Sequence, residues 1–251
     1  MKLPALLITS LLAGSAFASD FEATEAKIKA AMKSDIRVEA DTERDRNRRP
    51  VSTLKFLGLR DDMKVVELLP GGGWYTKILA PVLAENGELH LAYGTSRAAK
   101  LIEENDALSD VKLAAKDAKI FRKENARFYS LENSDLGIKK ADMVLTFRNY
   151  HNFAEDGRAA MNDAAWKALK MGGTYAVVDH TRRHMEGGND ENGRRFDPVL
   201  AIKEIQAAGF DFVDYSDLHY RADDELEYEV GRKSVTGNTD RFTFKFKKVK
   251  K

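Results

Sequence analysis

Three consecutive glycines, Gly71-Gly72-Gly73, follow an apolar, β-branched run at 64–69 and precede a helix-forming stretch. A bend without side chains lets a ligand lie against the main chain. The unpaired N–H groups of the following helix favour an anionic or electron-rich ligand group. The spacing discriminates among nucleotide binders. No Gly-Lys-Ser/Thr follows, so the bend is not a phosphate-binding P-loop. A nicotinamide site is disfavoured as well. The G-x-G-x-x-G spacing is missing, and the second apolar run closes on Ala92-Tyr93-Gly94 with no acidic residue.

A second constellation, Arg148-Asn149-Tyr150-His151-Asn152, follows the apolar run 142–147. Five polar or aromatic residues in succession at a strand end are hard to explain by packing. His151 is the natural general base, because an ordinary imidazole titrates near pH 6.5. Asn149 and Tyr150 are the accompanying catalytic candidates. Asp179-His180 ends a later strand, and Arg182, Arg183 and His184 follow. His180 and His184 have the spacing of a helical metal pair, but a strand end is the wrong context, and no metal is expected. Trp74 and Tyr75 start the helix after the glycines, where they face either a ligand or the core. Arg44, Asp45, Arg48 and Arg49 are candidates to cover the site from the N-terminal side.

These residues need a scaffold, and the 251-residue chain supplies one. It is 43% apolar and 32% charged, enough to bury a core. The formal net charge of +1 argues against a nucleic-acid partner, and the absence of cysteine excludes disulfides, thiolate metal sites and cysteine nucleophiles. Residues 1–18 read as a signal peptide. Lys2 precedes an apolar run too short to span a bilayer, and Ala16-Phe17-Ala18 predicts cleavage before Ser19. The mature protein is expected in the periplasm, with no stable membrane insertion.

The pattern after 19 alternates. Helices are predicted at 20–34, 51–57, 74–83, 97–104, 156–169 and 198–208, the fifth ended by Gly172-Gly173. Strands are predicted at 64–69, 88–93, 126–131, 142–147, 174–178, 210–215 and 241–246, with 106–124 helical in part. Strands separated by helices predict an α/β fold, a seven-stranded, mostly parallel sheet with helices on both faces. The last two strands have only the polar stretch 217–240 between them, which predicts an antiparallel last strand. The organisation is a signal peptide (1–18), an N-terminal helical extension (19–57) and one domain (58–251).

At these motifs the sequence resembles the class I S-adenosylmethionine-dependent methyltransferases. Glu67 takes the position of their strand-end acid, and Gly71 and Gly73 take the last two glycines of their G-x-G-x-G, with Leu69 in place of the first. More closely, it resembles a family of exported bacterial methyltransferases over roughly 41–247. The matching stretches are Glu67 to Thr76, Leu79-Ala80-Pro81, Phe147 to Asn152, Thr239 to Phe242, and Arg44-Asp45 through Arg49-Pro50. The resemblance implies a Rossmann-like sheet, S-adenosylmethionine as cofactor and a small-molecule substrate. It implies cofactor contacts from Glu67, Pro70, Gly71, Gly72, Gly73, Trp74, Tyr75 and Arg148. With the ribose-binding carboxylate missing, Tyr93 or a loop group would substitute for it, or affinity would be weaker, and Glu132-Asn133 would meet the adenine. Asn149-Tyr150 is similar to the Asn/Asp-Pro-Pro-Tyr motif of amine methyltransferases but lacks both prolines, which argues against amine methylation. The alternative is a methyltransferase-like domain that binds its ligand without turnover, since the cofactor is made in the cytosol.

Overall fold

The computed structural model describes the backbone of residues 12–250 and the side chains of 21–250. Most of the expected signal peptide, with all of its side chains, lies outside the described residues. Helix α1 (Leu12–Ala31) is followed by three short helices, α2 (Glu39–Thr42), α3 (Asp45–Arg48) and α4 (Pro50–Leu57). The alternating part is β1 (Lys64–Leu68), α5 (Thr76–Leu83), β2 (Glu88–Ala92), α6 (Ser96–Glu103), β3 (Lys112–Ala114), β4 (Lys119–Phe121), β5 (Ser130–Glu132), β6 (Ala141–Phe147), α7 (Glu155–Ala168), β7 (Leu169–His180), α8 (Pro198–Ala207), β8 (Phe210–Tyr215) and β9 (Arg241–Lys248).

Seven strands form one sheet in the order β3-β2-β1-β6-β7-β9-β8. β9 runs antiparallel to both neighbours, and the other pairings are parallel. The order reverses between β1 and β6, so their carboxyl ends open a crevice where α/β sheets bind ligands. Side chains alternate across the sheet. Val65, Met143 and Leu145 meet Ile28 of α1, Leu54 of α4 and Ile78 of α5 on one face. Val66, Val144 and Val177 meet Met161 of α7 and Ile205 of α8 on the other. Burying residues such as Ile28 and Leu54, at about 1.5–3 kcal/mol each, fixes the N-terminal helices to the same core as the sheet. No described helix is long and apolar enough to cross a membrane.

Two expectations need correction. The third strand is Lys112–Ala114, paired with His90–Ala92, rather than 126–131. Residues 130–132 instead pair antiparallel with 119–121 in a separate two-stranded ribbon. The edge strand sits in a Lys/Ala-rich stretch that local propensity reads as helix, and pairing with β2 overrides it. Gly172-Gly173 does not end α7 either. The helix stops at Ala168 and β7 begins at once, with the glycines inside β7 beside a register shift between Ala141 and Met143.

Candidate active site

The three central parallel strands all leave the sheet through left-handed, non-glycine residues: Leu69 (φ 55°), Tyr93 (φ 63°) and Arg148 (φ 60°). Such backbone persists where surrounding bonds over-determine it, commonly at functional sites. The bonds are present here. The Leu69 N–H donates to the Ala92 carbonyl at 2.8 Å and the Arg148 N–H to the Val178 carbonyl at 2.7 Å. The Asn149 amide donates to the carbonyls of Leu69 (3.1 Å) and Phe147 (3.0 Å), stitching the glycine bend to the end of β6.

The bend opens a cavity of about 460 Å³ lined by Glu67, Leu68 to Gly72, Trp74, Tyr75, Arg97, Arg148 and Asn149, with Asp41, Arg44 and Arg48 above. That volume lies within the usual range for small-molecule sites. A Cβ on Gly71 or Gly72 would meet no atom within 4 Å, so both main-chain positions face open space. Gly73 serves packing instead: at φ 77°, a Cβ would come within 2.5 Å of the Leu101 side chain.

Glu67 ends in the cavity wall, its carboxylate accepting a 2.7 Å hydrogen bond from the Thr76 hydroxyl. Burial raises its pKa to about 7, against the lowering effects of that bond and of the Arg48 charge. An unfolded glutamate loses its proton near pH 4.3, so the folded chain holds the extra proton between there and about pH 7. Stability at this group therefore falls as pH rises through that window. Glu67→Gln, which can still accept from Thr76, is expected to stabilise the protein by about 1–3 kcal/mol at pH 8 and negligibly at pH 4. Urea unfolding at both pH values checks this, and an equal effect at the two would contradict it.

The N-terminal extension roofs the cavity. The Trp74 indole N–H donates to the Asp41 carbonyl at 2.8 Å, and Lys77 makes a buried 2.6 Å ion pair with the Asp41 carboxylate. The Arg48 guanidinium lies over the indole, 4.3 Å from the ring centroid. Tyr75 stacks on Phe147 with centroids 3.6 Å apart. Burial pushes the Tyr75 phenol up to about 12, offset by Arg48, Arg241 and Arg148.

His151 sits at the adjoining edge. Its Nδ1 lies 2.6 Å from one oxygen of Asp179, and its backbone N–H donates to the other at 2.9 Å. A carboxylate can only accept, so Nδ1 carries a proton, and in the neutral ring Nε2 is the acceptor. The ring borders a cavity of about 270 Å³ shared with Arg148, Asn152, His180, Arg194, Thr236 and Arg241. His180 Nδ1 lies 2.8 Å from the Thr239 hydroxyl, and burial holds its pKa well below the ordinary value. His184 is engaged by Asp197 at 2.9 Å.

The structure thus gathers Glu67, Pro70, Gly71, Gly72, Trp74, Tyr75, Arg148 and Asn149 around one cavity, with His151 next door. Other expected site residues lie elsewhere. The Tyr150 hydroxyl donates to Glu204 at 2.9 Å and accepts from Asn162 at 2.9 Å, inside the second core. Tyr93 packs in that core with its hydroxyl on the Ser134 carbonyl. Glu132 is exposed on β5, and the Asn133 amide donates to the Asp117 carbonyl at 3.3 Å. Arg44 and Arg48 do cover the site, whereas Asp45 is held by Arg37 at 2.6 Å. Sequence reasoning missed the Asp179 brace, Asp41, Arg97 and the cluster of Arg221, Thr236 and Asn238. Asp179, one residue before His180 at a strand end, was the one with a local signal.

No protein-family profile matches the chain, and no curated protein matches it in sequence. Solved structures do match in shape. A SAM-dependent methyltransferase from Aquifex aeolicus superposes with a TM-score of 0.55 at 14% identity, covering 88% of this chain and 97% of that one. The [4+2]-cyclase SpnF gives 0.54 at 14% identity over 86% and 85%. The glycopeptide N-methyltransferase MtfA, complexed with sinefungin, gives 0.51 at 15% identity over 81% and 93%. The chain therefore has the Rossmann-like fold of the class I SAM-dependent methyltransferases.

Proposed function

We propose that the protein is an S-adenosylmethionine-dependent methyltransferase of the exported bacterial kind, acting on a small molecule. The observation that supports this reading best is the open glycine bend at the sheet's switch point, in a cavity also lined by Glu67, Arg148 and Asn149. The residues fit the cofactor: open main chain at Gly71 and Gly72 admits a flat ligand, Glu67 accepts hydrogen bonds, and Arg48 and Arg148 suit its carboxylate. Bound there, the cofactor supplies a sulfonium methyl group, whose sulfur keeps the bonding electron pair when the acceptor's nucleophile takes the carbon. The chain's contribution is alignment, exclusion of water and removal of one proton. Asn149 fixes the distance between the bend and β6. The roof built on Trp74, Asp41 and Lys77 covers the N-terminal side of the bend and leaves Gly72 open to the incoming ligand, which itself displaces the water there. Asp179 fixes the His151 tautomer, and Nε2 takes the proton that the acceptor loses.

Isothermal calorimetry of the mature chain with S-adenosylhomocysteine tests the reading. A one-to-one complex in the micromolar range is expected, and absence of binding would sink it. The cyclase among the structural neighbours is a reminder that this fold hosts more than one chemistry. Binding without transfer of label from methyl-labelled cofactor to any periplasmic extract would favour the alternative, ligand binding without turnover. The proposal includes export and removal of 1–18. The protein recovered from the periplasm is expected to begin at Ser19, and a mature chain beginning at Met1 would refute this part.

A further inference from the structure

Beside the glycine cavity lies a larger one of about 1170 Å³, whose lining includes Arg44, Arg48, Arg49, Arg148, Arg221 and Arg241. We propose that this cavity binds a small acceptor bearing at least two anionic groups, phosphate or carboxylate, and presents it to the glycine bend and to His151. Its role as the acceptor pocket rests on the methyltransferase reading. The anion site itself rests on the arginines.

The argument is one of pairing. The fold matches its structural arginines with carboxylates, two bonds each. Arg37 meets Asp45 at 2.6 and 3.0 Å, Arg158 meets Glu204 at 2.7 and 2.7 Å, and Arg195 meets Asp224 at 2.8 and 2.9 Å. The cavity arginines are treated differently. Among the described residues, none of the six just named as lining it forms a salt bridge. Arg48 and Arg241 are nonetheless 6% exposed, and the Arg241 Nε is buried without a hydrogen-bond partner. The nearby Asp179 is already committed to His151, and the lining acid Glu43 is exposed. Arg48 and Arg241 are buried cations held in no ion pair, which is costly, and each is repelled by Arg148, with Asp179 offsetting part of the charge of Arg241; Arg148 and Arg221 are half-buried, and Arg44 and Arg49 are exposed at the rim. In a chain of net charge +1, their concentration in one recess is local and specific. Arginine forks match the geometry of phosphate and carboxylate oxygens.

The layout explains why the anion would belong to the acceptor. Arg148 lines the glycine cavity, the arginine cavity and the His151 cavity alike. Thr236, Gly237 and Arg241 join the last two. A molecule anchored by Arg221 and Arg241 therefore occupies a cavity that shares walls with both the bend and the His151 cavity, which is where its uncharged end would have to reach. Arg48 and Arg241, the two buried arginines of the lining, are within reach of a small molecule that enters the cavity rather than of a strand lying across its exposed rim at Arg44 and Arg49.

Pyrophosphate and citrate serve as probes, titrated calorimetrically into the mature chain with and without saturating S-adenosylhomocysteine. Both are expected to bind at least tenfold more tightly than orthophosphate or acetate. Arg221→Gln and Arg241→Gln are each expected to weaken them at least tenfold, while leaving S-adenosylhomocysteine affinity within about threefold. Arg221 is only half-buried, so its variant keeps the test alive should Arg241→Gln fail to fold. Arg232→Gln, which removes an exposed pair with Glu191, is the control and should change neither. Equal affinity for the single-group anions (orthophosphate, acetate) and the multi-group ones (pyrophosphate, citrate), or no effect of the two variants, overturns the proposal. So does a single-stranded oligonucleotide that binds more tightly than pyrophosphate through the same arginines. Arginine-dependent pyrophosphate binding without any S-adenosylhomocysteine binding would uphold the anion site and remove the methyltransferase reading. The converse pattern would remove the anion site alone.

Discussion

Asp224→Ala is expected to lower the unfolding midpoint by roughly 6–20 °C, corresponding to about 3–5 kcal/mol in a chain of this size. Asp224 holds Arg195 through both oxygens, and both side chains are essentially inaccessible. The same carboxylate accepts the backbone N–H of Asp240 at 2.6 Å and of Leu226 at 3.1 Å. Truncation strands a buried cation and two N–H groups at once. Arg195 keeps only the carbonyls of Tyr228 and Thr181, which cannot neutralise it. The consequence reaches the site. Asp224 ties the irregular stretch between β8 and β9 to the domain, and that stretch carries Arg221, Thr236 and Asn238 into the arginine cavity. Scanning calorimetry of Asp224→Ala beside the double variant Asp224→Ala/Arg195→Leu separates the terms. The double variant should recover part of the loss, because no charge is left buried. A single-variant shift below about 2 °C would show that the pair is solvated in solution.

The fold was largely legible because its signals are local. β1, β2, β6 and β9 announce themselves by apolar runs or alternation, and the glycines mark the bend. β3 was not legible, since three residues carry no periodicity and only its neighbour β2 defines it. The site was legible where the backbone conformation is written in glycine and lost where side-chain direction decides. The run Arg148 to Asn152 reads as one polar constellation. The chain, however, enters a 3₁₀ turn at Tyr150–Asn152 after the left-handed Arg148, so successive side chains fan apart. Tyr150 goes into the core and His151 to the ligand edge. The roof and the arginine cavity join residues far apart in sequence, Asp41 with Lys77 and Arg48 with Arg241. No spacing rule reaches across such gaps.

Gly71→Asp is expected to weaken S-adenosylhomocysteine binding at least 100-fold, about 2.7 kcal/mol, while the protein stays folded. The two halves of this expectation have different causes. Gly71 has φ 59°, a left-handed conformation that costs most side chains roughly 1–2 kcal/mol and aspartate less than most. The new side chain meets no protein atom within 4 Å at its Cβ, so there is no collision to unfold the domain. The same emptiness directs the carboxylate into the cavity, where it takes ligand volume and, paired with Arg48 or Arg148, competes for the charges that would meet the ligand's carboxylate. Gly72→Ala provides the contrast. Gly72 is not left-handed and has equal room, so one methyl group there should cost less than tenfold in affinity. The order of the two effects is the discriminating feature. A generic loss of loop mobility would weaken both variants alike. Affinity unchanged by Gly71→Asp would place the ligand away from the bend, and with it the chemistry assigned to Glu67, Arg148 and His151.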